Sequence, residues 1–151
     1  NSDYNRLKKH GKLKHIVQAY LAAISYADAC VGEIMKGLNK SPYKKNTIVV
    51  LWGDHGWHLG EKLCYRKAKL WERATLTTLL IKAPDVSKAG GRCKRVVNLI
   101  DLYPTLIDLC GLPKKGGLEG RSLKPLLENP NTKWPYPSLT TMKFKRHTSV
   151  P

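Results

Sequence analysis

The sequence predicts an α/β fold: a mixed, largely parallel sheet flanked by helices. Three observations predict it. Residues 13–38 carry one apolar stripe at helical spacing, residues 47–52 are apolar on both faces, and a Gly-Asp-His-Gly turn follows them directly. Helix followed by buried strand is the order of an α/β layer, and ligands bind at the carboxyl ends of strands in open sheets of this kind.

In the helix, Leu13, Ile16, Val17, Tyr20, Leu21, Ile24, Ala27, Val31, Ile34, Met35 and Leu38 recur three or four residues apart and so share one face. Asp28, at the edge of that stripe, is expected to accept a hydrogen bond from a neighbouring layer. Gly37, Asn39 and then Ser41-Pro42 are expected to stop the helix. Thr47-Ile48-Val49-Val50-Leu51-Trp52 reads as a buried parallel strand. Leu76 to Ala83 reads as a second strand ending at Pro84, and Asp85 to Lys94, with Gly90-Gly91, as a loop.

From Val96 to Leu109 the apolar spacing predicts a short strand or turn and then a helix. Pro104 falls in its first turn, where a missing N–H does least harm, and Gly111 with Pro113 ends it. Gly116-Gly117, Pro125, Pro130, Pro135 and Pro137 mark irregular chain, with one more strand expected between Pro135 and Val150.

With 151 residues and 42% hydrophobic content the chain can bury one core, which excludes disordered and collagen-like classes. Lysine and arginine exceed acids by 27 − 11 = 16 charges, which favours polyanionic partners. The basic residues nevertheless fall in short separate clusters, Lys8-Lys9, Lys44-Lys45 and Lys114-Lys115 among them, without interleaved aromatics. Nucleic acid is therefore not the expected partner. Cys30, Cys64, Cys93 and Cys110 form no C-x-x-C pair, so neither a zinc ribbon nor a disulfide framework is indicated. No apolar run approaches the ~20 residues that cross a bilayer, so no membrane span is expected. The chain lacks an initiator Met and is expected to be a piece of a longer protein, so it does not indicate a compartment.

The turn after the first strand reads Gly53-Asp-His-Gly-Trp-His-Leu-Gly-Glu-Lys62, followed by Lys67 and Leu70-Trp-Glu72. Before it stands Tyr20-Leu-Ala-Ala-Ile-Ser-Tyr-Ala-Asp28. After it come Leu99-Ile-Asp-Leu-Tyr-Pro-Thr-Leu-Ile-Asp-Leu-Cys-Gly-Leu112 and Leu118-Glu-Gly-Arg-Ser-Leu-Lys-Pro-Leu-Leu127. In this order the motifs resemble the latter part of the type I sulfatases, members of the alkaline phosphatase superfamily, in their iduronate-2-sulfatase and choline-sulfatase-like branch. The resemblance spans residues 13 to 150, and it implies a partial domain: a basic lead-in at 1–12, the second half of the α/β domain at 13–113 and the truncated start of a smaller C-terminal subdomain at 114–151.

That resemblance implies a calcium-dependent hydrolase of sulfate esters, with sulfated glycans as the candidate substrate, and a formylglycine nucleophile made from Cys or Ser. It implies Asp54 and His55 as metal ligands, with His55 also beside the nucleophile. Lys67 matches the lysine that grips sulfate, and His58 and His147 are candidate substrate contacts. The chemistry is consistent, because charge developing on sulfate oxygens calls for a hard cation and fixed positive charge. By the same resemblance the parent protein is expected in the periplasm, a secreted fraction or the lysosome.

The chain also departs from the family pattern. The formylglycine signature, Cys or Ser followed by x, Pro or Ala, x, Arg, is absent at all four cysteines. The family's paired N-terminal aspartates are absent too, which leaves Asp54 and His55 as half a coordination sphere completed by ligands this chain lacks. The expectation is an incomplete sulfatase, inactive alone and prone to self-association through its unpaired sheet. Two further readings stand beside it: a phosphate mono- or diesterase of the same superfamily, and a non-catalytic basic module that binds polyanions. A zinc site on His55, His58 and Cys64 would lack a distant fourth ligand.

Overall fold

The computed structural model describes residues 2–142. Helix α1 (Ser2–Lys9) falls within the basic lead-in, and the long helix α2 (Leu13–Lys40) follows it. Gly37 and Asn39 do not stop α2, contrary to the expectation, because one glycine costs a helix only about 1 kcal/mol. The break comes at Ser41, which takes up extended geometry (φ −79°, ψ 148°), as a residue before proline must. The Ser41 hydroxyl then accepts a hydrogen bond from the Tyr43 N–H at 3.1 Å, capping a 3₁₀ turn over Pro42–Lys45.

Strand β1 (Val49–Trp52) is two residues shorter than its apolar run. The Thr47 hydroxyl donates to the Tyr43 carbonyl at 2.8 Å, which ties the start of the run to the turn before it. β1 pairs antiparallel with β4 (Leu79–Lys82), in a register that sets Val50 opposite Ile81 and Trp52 opposite Leu79. The α/β class holds, but the neighbour β1 finds among the described residues is antiparallel where its apolar character predicts a parallel one. β1 is not buried on both faces either, since Leu51 and Trp52 are exposed. β4 begins at Leu79 rather than Leu76, because the Leu76 N–H closes the short helix α3 (Glu72–Thr75) on the Glu72 carbonyl at 2.7 Å. Between β1 and α3, β2 (His58–Leu59) and β3 (Tyr65–Arg66) form a second antiparallel pair.

After a loop over Asp85 to Lys94, as expected, a 3₁₀ turn (Leu99–Asp101) runs into α4 (Leu102–Leu109). Asn98 and Asp101 cap each other's backbone reciprocally. Pro104 lies in the first turn of α4, and Gly111, at φ 62°, ends the helix in the left-handed region that glycine favours. Helix α5 (Lys124–Glu128) packs back on α4. There, buried Thr105 accepts from the Leu123 N–H at 2.9 Å and donates to the Asp101 carbonyl at 2.5 Å. No strand forms over residues 135–142, and the rest of the strand expected there, with His147, lies outside the described residues.

The core is smaller than the composition suggests. The buried apolar side chains are Cys64, Tyr65, Ala74, Ala83, Leu123 and Leu126, and α2 buries none of its residues. Asp28 is exposed in α2, so the expected hydrogen bond from a neighbouring layer is not made. Among the described residues no helix is long and apolar enough to cross a membrane.

Candidate active site

The site starts at the carboxyl end of β1, where two glycines let the chain turn against its neighbours. The Gly53 N–H extends the β1–β4 ladder by bonding to the Thr78 carbonyl at 3.1 Å, and the Gly56 N–H bonds to the Ala74 carbonyl at 2.9 Å. A Cβ on Gly56 would collide with the carbonyls of Arg73 and Leu76, so only glycine lets the turn seat against α3. Asp54 and His55 lie between these two anchors.

His55 has a defined role for each ring nitrogen. Nδ1 lies 2.8 Å from the Gly56 carbonyl, which can only accept, so Nδ1 carries the proton and the Nε2 lone pair is turned outward in the neutral ring. Nε2 faces Asp54 Oδ2 at 3.4 Å. Two electron-rich atoms so placed repel each other unless the ring is protonated or a cation lies against both. Fixing one imidazole nitrogen on a backbone carbonyl leaves the lone pair of the other available to a cation. The imidazole is also stacked, with Trp57 5.9 Å away at 26° and Tyr20 of α2 6.1 Å beyond Trp57 at 21°.

A pocket of about 300 Å³ opens beside this pair, lined by Asp54, His55, Ala68, Lys69, Leu70, Ala74, Thr75, Thr77, Asn98, Leu99, Ile100, Thr140, Thr141 and Met142. The Asp54 side chain is 78% exposed and the His55 side chain 27%, which leaves both reachable by an ion from solvent. Among the described residues no three of His, Cys, Asp and Glu converge on one point, so this pair supplies two donors and not a closed metal site.

The remaining candidates are not all brought to the pocket. Lys67 is exposed and outside the lining, and Lys69 takes the rim position. Lys67 sits between Arg66 (φ 69°) and Ala68 (φ 62°), two non-glycine residues in left-handed geometry, a strain that clusters at functional sites. His58 is 1% exposed in β2, away from the lining, with neither ring nitrogen hydrogen-bonded. Its nearest charged neighbour is Glu61, with Oε2 at 3.9 Å from Nδ1. Zinc shared by His55, His58 and Cys64 is not supported, since no such cluster forms among the described residues. Sequence reasoning missed Trp57 and the role of Tyr20. Tyr20 lies in the helix stripe, and nothing in periodicity distinguishes a core residue from one that reaches the site.

Comparison with known proteins places these observations. The sulfatase family model matches residues 2–112. A sulfatase of Formosa agariphila is 42% identical over 118 residues, covering 78% of this chain and 23% of that protein. An N-acetylglucosamine-6-O-sulfatase of Bacteroides thetaiotaomicron is 32% identical over 118 residues, 78% of this chain and 21% of that one. A solved structure in complex with its substrate D-glucosamine-2-N,6-O-disulfate superimposes with TM-score 0.69 at 34% identity, over 73% of this chain and 22% of that one. The chain thus spans under a quarter of the length of these relatives. With its family motifs in order and the Asp54–His55 pair at the end of β1, the chain belongs to the sulfatase family.

Proposed function

We propose that this chain supplies one side of the active site of a calcium-dependent enzyme that hydrolyses sulfate esters, with sulfated glycans as substrate. The observation that carries the reading is the outward Nε2 of His55 held 3.4 Å from Asp54 Oδ2, with Nδ1 committed to the Gly56 carbonyl. These two atoms would hold the ion, a carboxylate oxygen being a preferred ligand of a hard cation. Further donors would come from outside the described residues. When bound, calcium would draw charge from the sulfate oxygens and so favour attack at sulfur.

The chain's own residues do the remaining work. Trp57 and Tyr20 hold the imidazole plane, so His55 need not reorganise when an ion or substrate arrives. Lys69, on the pocket rim, would meet an anionic ester with fixed positive charge, and the exposed Lys67 adds its charge two residues away, outside the lining. The chain contains no formylglycine signature, so the nucleophile is not expected from it, and no turnover is expected from the chain alone.

Calorimetric titration with Ca²⁺ tests the reading. The chain is expected to bind one ion weakly, with Kd on the order of millimolar, as suits a site with few protein ligands. Asp54→Asn is expected to remove that heat. A wild-type chain that takes up no calcium would overturn the proposed cradle.

A further inference from the structure

A second pocket, of about 410 Å³, lies against the first and shares Asn98 and Ile100 with it as a common wall. Its floor is aromatic and its rim is charged. Trp134 and Tyr136 meet edge to face at 4.9 Å and 82°, and the Arg121 guanidinium lies 4.2 Å over the Tyr136 ring. Glu119 lines the same pocket.

The surroundings fix this corner from both sides. The Arg121 N–H donates to the buried Asp101 carboxylate at 2.8 Å, and the Ser138 hydroxyl donates to Asn98 Oδ1 at 2.9 Å. The aromatic segment is thereby tied to the turn that forms the shared wall. Ile100, Tyr136 and Leu139 are 53%, 41% and 75% exposed, so the corner presents apolar surface to solvent beside fixed polar groups.

We infer that this second pocket is a saccharide subsite, which receives the sugar ring next to the sulfated unit held at Asp54 and His55. A pyranose has apolar C–H faces and a rim of hydroxyls. Trp134 offers the flat apolar partner, Glu119 accepts from hydroxyls, and Arg121, seated over the Tyr136 ring, pairs with a sulfate or carboxylate on that sugar. The volume lies within the usual range for small-ligand sites, roughly 300–1,000 Å³. The shared wall sets the two pockets side by side, as neighbouring units of one polymer would require. The assignment rests on the sulfated-glycan reading above for the identity of its neighbour, but its own chemistry requires only a sugar.

Nitrogen-15 NMR of the chain tests it, with D-glucosamine-2-N,6-O-disulfate as the one-ring probe and a heparin-derived tetrasaccharide as the extended one. The single ring is expected to move the signals of Asp54 to Gly56 alone. The tetrasaccharide is expected also to move the Trp134 indole and the Arg121 amide, and to bind about tenfold tighter. Trp134→Ala should abolish that gain and leave the one-ring affinity unchanged. If Trp134→Ala does not fold, Arg121→Gln and the wild-type shift map give the answer. A tetrasaccharide that binds no tighter and leaves Trp134 and Arg121 unmoved would overturn the subsite. Tetrasaccharide binding through Trp134, with no probe touching Asp54 or His55, would keep the sugar site and sink the sulfatase reading instead.

Discussion

Asp101 shows how one residue can hold two parts of the chain together. Its carboxylate is 6% exposed and accepts from the Asn98 N–H at 2.9 Å and the Arg121 N–H at 2.8 Å. Asp101→Ala would remove the buried, charged acceptor of two hydrogen bonds, each worth about 1–3 kcal/mol. The expected loss is about 2–4 kcal/mol, read from the urea midpoint, and an unchanged midpoint would refute the account. Glu61 makes the corresponding acid-sensitive contact near the active site. Its pKa is lowered from the usual 4.5 chiefly by the hydrogen bond from the Leu59 N–H at 2.8 Å, with Arg73 and His58 adding smaller attractions against the cost of burial. A lowered folded pKa means that the ionised carboxylate stabilises the fold above 4.5 and that this is lost as pH falls through the lowered value. Glu61→Gln should therefore melt below wild type at neutral pH, with the gap closing in acid. A gap that persists in acid would mean the carboxylate charge is not what stabilises the hairpin.

At the scale of the elements, α2, the turn after β1 and the Pro104 helix were legible because each is written locally, in apolar spacing, a glycine pair or a proline position. The pairing of β1 was not. A four-residue strand of valine, leucine and tryptophan looks alike beside a parallel or an antiparallel neighbour, and the choice of β4 is made by the chain between them. That Asp54 and His55 share one turn at the end of β1 was legible from the motif. That Lys69 and not Lys67 lines the pocket was not, because the left-handed backbone at Arg66 and Ala68 breaks the regular geometry that spacing arguments assume. The turn itself makes a sharp expectation. Gly56→Ala sets a methyl against the carbonyls of Arg73 and Leu76, backbone atoms that cannot swing away, so a loss on the order of 2–4 kcal/mol is expected. Gly53→Ala meets the Thr77 hydroxyl, the end of a side chain that can rotate, and should cost less than about 1 kcal/mol. Equal denaturation midpoints for the two variants would contradict this reading of the turn.

Across the whole molecule the balance between surface and core is unusual. The accessible surface is 12240 Å², against roughly 7,700 Å² from the size scaling of folded monomers at 17.0 kDa. Large apolar side chains are part of that surface: in α2 alone, Leu21, Ile24, Tyr26 and Ile34 are 55%, 50%, 75% and 70% exposed. Burying a leucine or isoleucine fully is worth about 1.5–3 kcal/mol, so one helix face covered in this way would drive association strongly. The opposing term is charge, since copies carrying +16 each repel at long range. Salt decides between the two, because the Debye length falls from about 30 Å at 0.01 M to about 8 Å at 0.15 M while the apolar term is nearly untouched. Sedimentation velocity should therefore show association that grows with salt, and Leu21→Lys with Ile24→Lys should suppress it. This is the opposite of the salt response of polyanion binding, which weakens as counterions compete. A chain that stays monomeric from low to physiological salt would show that the exposed stripe of α2 does not drive association.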